Sequence, residues 1–300
     1  MKKIFYALCF MIPWSLTAQI NPREVITYCD SMLQLGIKKP MIPGAIISIV
    51  SRDSILLNKG YGFSNYDKKL PVDPAKTLFQ LGSVGKVFTS IAVLQQIQRK
   101  QLDLNADVNQ YLRGWKIKNK FKNPVTLFHL LTHSAGFDDR IIGYMSRSAK
   151  SLKPLKEHLP TNMPQLFQSP GLSINYSNYS YALAGHLVEL SSKQPFAAYI
   201  KQNIFDKLGM TESTYYLPDN YDTQSQYALG YKWRKTFEKV KAFPRHATPA
   251  GSILSTANDM SLFVQALLKQ DSKLLNSKGF NLLLRDKKII TFPFQNFGTV

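Results

Sequence analysis

The order of elements legible in this 300-residue chain predicts an α+β fold, with an antiparallel sheet built from both chain ends and an inserted all-α region. Three observations predict it. A β-branched hairpin pattern stands near the start, helical patterns fill the middle, and the last dozen residues turn apolar and aromatic as if a strand were beginning. The composition is globular, with 44% hydrophobic and 19% charged residues. The 16 glycines and 16 prolines exclude collagen-like and proline-rich classes. At about 150 residues per domain, the length allows two units or one large one.

Taken in order, Lys2 and Lys3, the almost wholly apolar residues 4–16, and the small-residue zone Thr17-Ala18-Gln19 read as an export signal over residues 1–19. The expected destination is periplasmic or extracellular. Residues 20–300 are then a single domain, expected to be incomplete at its C-terminus. No uninterrupted apolar run reaches the roughly 20 residues of a membrane span, so no integral span is expected. Cys9 leaves with the signal, and the remaining Cys29 cannot form an internal disulfide.

Pro43-Gly44 is a turn signal. Residues 45–50, the polar 51–54 and the apolar 55–57 read as an antiparallel hairpin, closed by Gly60, Gly62 and Asn65. Residues 84–100 carry Val87, Ile91, Leu94 and Gln98 at helical spacing, widened by Phe88, Ala92 and Val93, so this helix is expected to be buried on most sides. Residues 103–115 read as a loop with a short turn. Residues 126–133 read as a helix capped by Asn123 or Thr126 around Pro124 and stopped near Gly136. Residues 150–160, polar with two prolines, read as irregular surface. Residues 180–192 and 195–208 read as two helices, the second ending at Gly209, and 256–269 as another, capped by Asn258 or Thr256. Residues 289–300 read as the start of a strand.

The nucleophile candidate is Ser83, in Gly82-Ser83-Val84-Gly85-Lys86 at the start of the long helix. Ser83 and Lys86, three apart, share one helix face one turn apart. A serine hydroxyl needs a group to take its proton, and a lysine whose pKa is lowered by burial can do so. The helix N-terminus also brings backbone N–H groups to an oxyanion. The bland alternative is a serine cap beside a solvated lysine. A phosphate loop is excluded because residue 80 is Gln and Val87 replaces the required Ser or Thr; a nucleophile elbow is excluded by Leu81. Tyr176-Ser177-Asn178 follows Pro170-Gly171 and precedes a helix, so it is expected on a loop. A tyrosinate, or a tyrosine sharing its proton with Lys86, can act as general base, and Asn178 can hold a substrate amide. The plain alternative is a polar loop with an aromatic plug.

These motifs form an ordered series that resembles the serine beta-lactamase-like family: class C beta-lactamases, DD-carboxypeptidases and related esterases. The series runs through Pro43-Gly44-Ala45, Gly60-Tyr61-Gly62, residues 79–86, Leu130-Leu131-Thr132-His133-Ser134-Ala135-Gly136 and Ser169-Pro170-Gly171. It continues through Tyr176-Ser177-Asn178-Tyr179, Ile204-Phe205, Leu208-Gly209-Met210, Pro249-Ala250-Gly251-Ser252 and Ser255-Thr256. The resemblance covers roughly residues 25–270. It implies a beta-lactamase/transpeptidase-like fold, with the serine at the junction of a sheet domain and an all-α region. It further implies that Ser83 is acylated, that Lys86 is its proton partner, that Tyr176 is base and later acid, and that Asn178 contacts the amide side of the substrate. No class A type glutamate is nominated. His133 is structural on this reading. No cofactor or metal is expected, because His186-Leu187-Val188-Glu189 has no second ligand cluster beside it.

The family's third element, Lys/His-x-Gly on a strand beside the serine, has one match, Lys207-Leu208-Gly209, which sits at a helix end and reads as a cap. The expectation is that the chain is a fragment cut before that strand; the alternative is an impaired protein. Three functions compete. The first is an exported serine hydrolase acting on a D-alanyl peptide, a β-lactam or a small ester. The second is a non-catalytic binder of cell-wall peptides. The third is a polyanion binder driven by the formal charge of +19. Basic residues recur at Lys116, Lys118, Lys120 and Lys122 and again over 232–245, but no nucleic-acid module is present, and a solvated basic face is the favoured reading. The expected partner is a small-molecule or peptide substrate, with no nucleic acid; the oligomeric state is not legible.

Overall fold

A computed structural model describes residues 21–39, 42–139 and 143–285. The expected export signal at 1–19 and the expected strand at 289–300 lie outside the described residues. The elements in chain order are α1 (Pro22–Lys38), β1 (Gly44–Val50), β2 (Ile55–Asn65), β3 (Leu70–Pro71), β4 (Phe79–Gln80), α2 (Gly85–Gln98), α3 (Leu127–Leu131), α4 (Leu155–Thr161) and α5 (Asn178–Ser192). They continue with α6 (Phe196–Ile200), α7 (Asp206–Leu208), β5 (Gly230–Arg234), β6 (Thr236–Val240), β7 (Leu254–Ser255), α8 (Ala257–Lys269) and α9 (Ser277–Phe280). The arrangement is α+β with antiparallel sheets.

The hairpin forms as its β-branched pattern requires. β1 and β2 pair antiparallel from Gly44 opposite Gly62 to Val50 opposite Ile55. One correction applies: the strand runs through Gly60 and Gly62 rather than ending there, and β3 adds to its far end. A side chain at Gly44 would collide with the backbone of Phe63 and one at Gly60 with that of Val72, so glycine here serves close backbone approach. Alternation on the strands places helices on both faces. Lys59 Nζ and Tyr61 Oη donate to Asp30 of α1 at 2.7 and 2.8 Å, whereas Ser48, paired with Asn58, shares a 2.7 Å hydrogen bond with Ser261 of α8. α1 was not read from the sequence; Asn21 caps it and Pro22 is its first residue.

The helical region forms one apolar core around α2 and α5. Phe88, Ile91, Ala92 and Val93 of α2 and Ala182, Leu183, Ala184 and Leu187 of α5 are fully buried. Each large side chain so buried contributes roughly 1.5–3 kcal/mol of transfer free energy. Phe88 stacks on Phe263 of α8 at 4.0 Å and meets Phe205 edge-on at 5.7 Å. α3 is shorter than expected: Thr126 caps it in a reciprocal box with His129, and it stops at Leu131. α4 corrects the reading of 150–160 as irregular. Pro154 precedes the helix, where no N–H is needed, and Leu155, His158 and Leu159 are buried beneath it. α6 and α7 are one helical run joined by a wide turn at Lys201–Phe205, and Gly209 at φ 75° ends it as expected. The basic segment over 232–245 overlaps an antiparallel hairpin, β5–β6, not foreseen as such. Lys116, Lys118, Lys120 and Lys122 are all exposed.

Candidate active site

Three chain segments meet at Ser83. The first is the turn Gly82–Val84, which links β4 to α2. β4 pairs with β7, and Leu81 N–H donates to Ile253 O at 3.0 Å, so the turn is tied to the chain 172 positions later. Gly251 lies directly against it. With φ 149°, a Cβ there would stand 2.6 Å from Gly82 O and 3.2 Å from Ser83 N. The second segment is the approach to α5, where Ser177 caps the helix by accepting from Ser180 N–H. The third is the turn Thr248–Ala250, held by a 2.7 Å bond from Thr89 Oγ1 to Pro249 O.

These segments bring together all four residues singled out in the sequence. Ser83 Oγ is 2.7 Å from Tyr176 Oη and accepts from Lys86 Nζ at 3.2 Å. Lys86 also donates to Asn178 Oδ1 at 2.9 Å and to Ala250 O at 2.6 Å. The ammonium therefore has an acceptor for each of its three protons. Its Nζ lies 4.8 Å from the centroid of the Tyr176 ring. Ser83 itself is exposed, whereas Lys86 is 6% exposed. The nucleophile candidate opens to solvent with a buried amine behind it.

Burial dominates the electrostatics. It pushes the Lys86 amine down to about 7; Asp139 acts against this and Arg245 with it. Burial raises the Tyr176 phenol above its usual value, against the hydrogen bond from Ser83. Near pH 7 the amine is thus divided between its neutral and charged forms, while the phenol keeps its proton. His133 lies under Tyr176, its ring stacked at 4.3 Å, and its Nδ1 accepts from Ser177 N–H at 3.0 Å. Burial, with the Lys86 charge, pushes His133 down to about 3, so it stays neutral and serves as a platform. Its backbone is left-handed, at φ 56°.

Asn178 differs from its expected place. It is the first residue of α5, not a loop residue, and its amide is already bonded at both ends, through Oδ1 to Lys86 and through Nδ2 to Asp139. Three contributors lie outside the four candidate site residues. Ala250 acts through a backbone carbonyl, which leaves no mark on residue type. Asp139 lies three residues past the Leu130–Gly136 motif. Arg245 was read only as part of a basic stretch, yet its Nη1 donates to Gly251 O at 2.5 Å. His186 is buried and pairs with Glu189 at 3.0 Å within α5. Among the described residues no cluster of metal-ligating side chains occurs, and no helix is long and apolar enough to cross a membrane.

Known proteins share this fold. The Beta-lactamase family model matches residues 30–293. Protein flp of Staphylococcus aureus (strain MRSA252) is 28% identical over 247 residues, covering 81% of this chain and 49% of the relative. A putative penicillin-binding protein of Bacillus subtilis, PbpX, is 29% identical over 236 residues, covering 77% of this chain and 56% of the relative. This chain thus spans about half the length of the curated relatives it matches. The octameric penicillin-binding protein homologue from Pyrococcus abyssi superposes with a TM-score of 0.74 at 26% identity, covering 85% of this chain and 59% of the other. The hydrolase EstCE1, described as having promiscuous acyltransferase activity, superposes with a TM-score of 0.77 at 18% identity, covering 89% and 78%. The latter likeness is one of fold alone. The fold is beta-lactamase/transpeptidase-like.

Proposed function

Because this chain belongs to the Beta-lactamase family, whose kind of function is that of a serine hydrolase, we propose that it cleaves an amide or ester through an acyl-enzyme on Ser83. The observation that carries the reading is the exposed Ser83 hydroxyl held between Tyr176 Oη at 2.7 Å and the buried Lys86 amine at 3.2 Å. In its neutral form Lys86 keeps two N–H bonds, to Asn178 Oδ1 and Ala250 O, and turns its lone pair on Ser83. Ser83 Oγ attacks the carbonyl carbon while its proton passes to Lys86, directly or across Tyr176. The Ser83 N–H, at the head of α2, stabilises the oxyanion. Tyr176 then gives a proton to the leaving amine or alcohol and is resupplied by Lys86. Water releases the acyl group, and Ser83 regains its proton.

This reading assigns the resting base to Lys86 and makes Tyr176 the relay and acid. The raised phenol disfavours a standing tyrosinate. The substrate class is a D-alanyl peptide, a β-lactam or a small ester, handled outside the cytoplasm after removal of residues 1–19. Amino-terminal sequencing of the mature protein from its native host tests the export step; retention of Met1 would sink it.

The test of the chemistry is incubation of the full-length protein with a fluorescent penicillin and an activated ester, with adducts mapped by mass spectrometry. The expected adduct is on Ser83 and is lost in Ser83→Ala. A correctly folded protein that forms no adduct with either probe would overturn the hydrolase reading and favour a non-catalytic binder of cell-wall peptides.

A further inference from the structure

Asp139 lies outside every motif of the series, yet it touches the group that orients the amine. It follows the turn after α3 and reaches the head of α5. There its carboxylate accepts from Asn178 N–H at 3.1 Å and from Asn178 Nδ2 at 3.4 Å to each oxygen. The other end of the same amide, Oδ1, accepts from Lys86 at 2.9 Å. Asp139, Asn178, Lys86 and Ser83 therefore form one hydrogen-bonded line.

The chemistry of that line is directional. An amide offers a donor at one end and an acceptor at the other, and the two ends have nearly the same shape, so neighbours decide which way it points. An ionised carboxylate only accepts. Facing Asp139, Asn178 must present Nδ2 to it, and Oδ1 is thereby committed to Lys86. A reversed amide would place two donor groups against each other at Lys86 and leave the amine tied only to Ala250 O and Ser83.

We propose that Asp139 is a positioning residue for this site: an acceptor-only carboxylate that fixes the polarity of the Asn178 amide and so holds the Lys86 amine on Ser83. The proposal rests on the Ser83–Lys86 reading above.

A second effect of Asp139 follows from its charge. It favours the protonated amine, opposing both burial and Arg245. The other groups around Lys86 do not titrate between pH 5 and 9. His133, at the end of α3, is pushed down to about 3 and stays neutral, while Tyr176 ahead of α5 and Tyr181 within it are raised and keep their protons. Arg245, before β7, is always charged. The Asp139 charge also raises the Tyr176 and Tyr144 phenols, which keep their protons in this range, so within it the loss of that charge registers on Lys86.

The experiment compares wild type with Asp139→Asn and Asp139→Glu in two readouts. One is the NMR titration of Lys86 in protein carrying 13Cε-labelled lysine, assigned with Lys86→Arg. The other is the pH profile of kcat/KM on an activated ester. Asp139→Asn matches the shape but admits both amide orientations. It is expected to lower kcat/KM by about 10- to 100-fold, mostly in kcat, and to move the Lys86 midpoint and the acid limb down by about one pH unit. Asp139→Glu keeps the charge and the acceptor character and is expected to hold the midpoint within a few tenths of wild type. An Asp139→Asn protein whose midpoint stays put or rises, or whose rate is unchanged, would overturn the proposal. If the wild type forms no adduct on Ser83, the hydrolase reading fails, while the Lys86 titration still decides whether Asp139 governs the amine.

Discussion

Two regions of this molecule set lysine among aromatic residues, and they behave in opposite ways. Around the head of α2, Lys86 is buried against Tyr176 and Tyr181 and has three acceptors. On the β5–β6 hairpin, Lys232, Arg234, Lys235 and Lys239 are all exposed, and only Tyr231 and Phe237 turn inward against Tyr66. There Lys239 pairs with Asp222 at 3.4 Å in open solvent. The residue type is the same in both places. Removal from water makes one lysine a candidate base, whereas the other stays at the surface beside an exposed carboxylate. The formal charge of +19 says little about function for the same reason. The cation that matters is the one whose charge the fold has made costly.

The comparison is broken most directly at Lys86. Lys86→Met keeps much of the stem and removes the amine; kcat/KM on an activated ester should fall by about a thousandfold or more. In the wild type, kcat/KM should rise with pH along an acid limb near 7, because burial lowers the amine to about 7 and the neutral form is the one that accepts the Ser83 proton. Activity then falls as pH drops below that limb. A limb near 10 or above would assign the base to Tyr176 instead.

Tyr176→Phe, which removes the relay but keeps the ring stacked on His133, should cost about 10²- to 10⁴-fold in kcat. The effect should be larger for a poor leaving group than for an activated ester, since only the former needs its proton. Gly185→Ala sharpens the comparison from the core side. A Cβ at 185 would strike the ring of Pro249, next to the carbonyl that accepts from Lys86. It should destabilise the fold by roughly 1–3 kcal/mol, read by denaturant unfolding, and should also displace the Lys86 midpoint. Lys239→Ala marks the other extreme. Its pair is exposed on both sides, so stability should change by less than about 0.5 kcal/mol and kcat/KM should not change.

Much of the site was legible because its chemistry lies in short local patterns. Ser83 and Lys86 sit one helical turn apart, and Tyr176 and Asn178 flank a helix cap, so spacing grouped each pair, and the resemblance to the family's motif series singled them out. Which pairs meet across the fold is not a local property. The tie from Lys86 to Ala250 is a backbone carbonyl, which any residue supplies, and Asp139 gains its meaning only where α5 begins. In the fold, periodicity served the hairpin, α2 and α8 well. It failed at α4 because two prolines were read as breakers. Pro154 stands ahead of the helix, and Pro160 near its end deprives the helix of one hydrogen bond in a segment anchored by Leu155 and Leu159. β5–β6 was missed because neither of its faces is strongly apolar, so alternation had little contrast to show.

The span of the Lys86 contacts has a consequence for when the protein becomes reactive. Its acceptors come from positions 83, 178 and 250, so the amine is enclosed only after segments 164 residues apart have docked. Before that, in a nascent or extended chain, it is an ordinary lysine, fully protonated at neutral pH, and Ser83 is an ordinary alcohol. Contacts of such long range form late. Enclosure of the amine is thus a readout of completed folding, and a partly folded chain has no buried lysine beside Ser83.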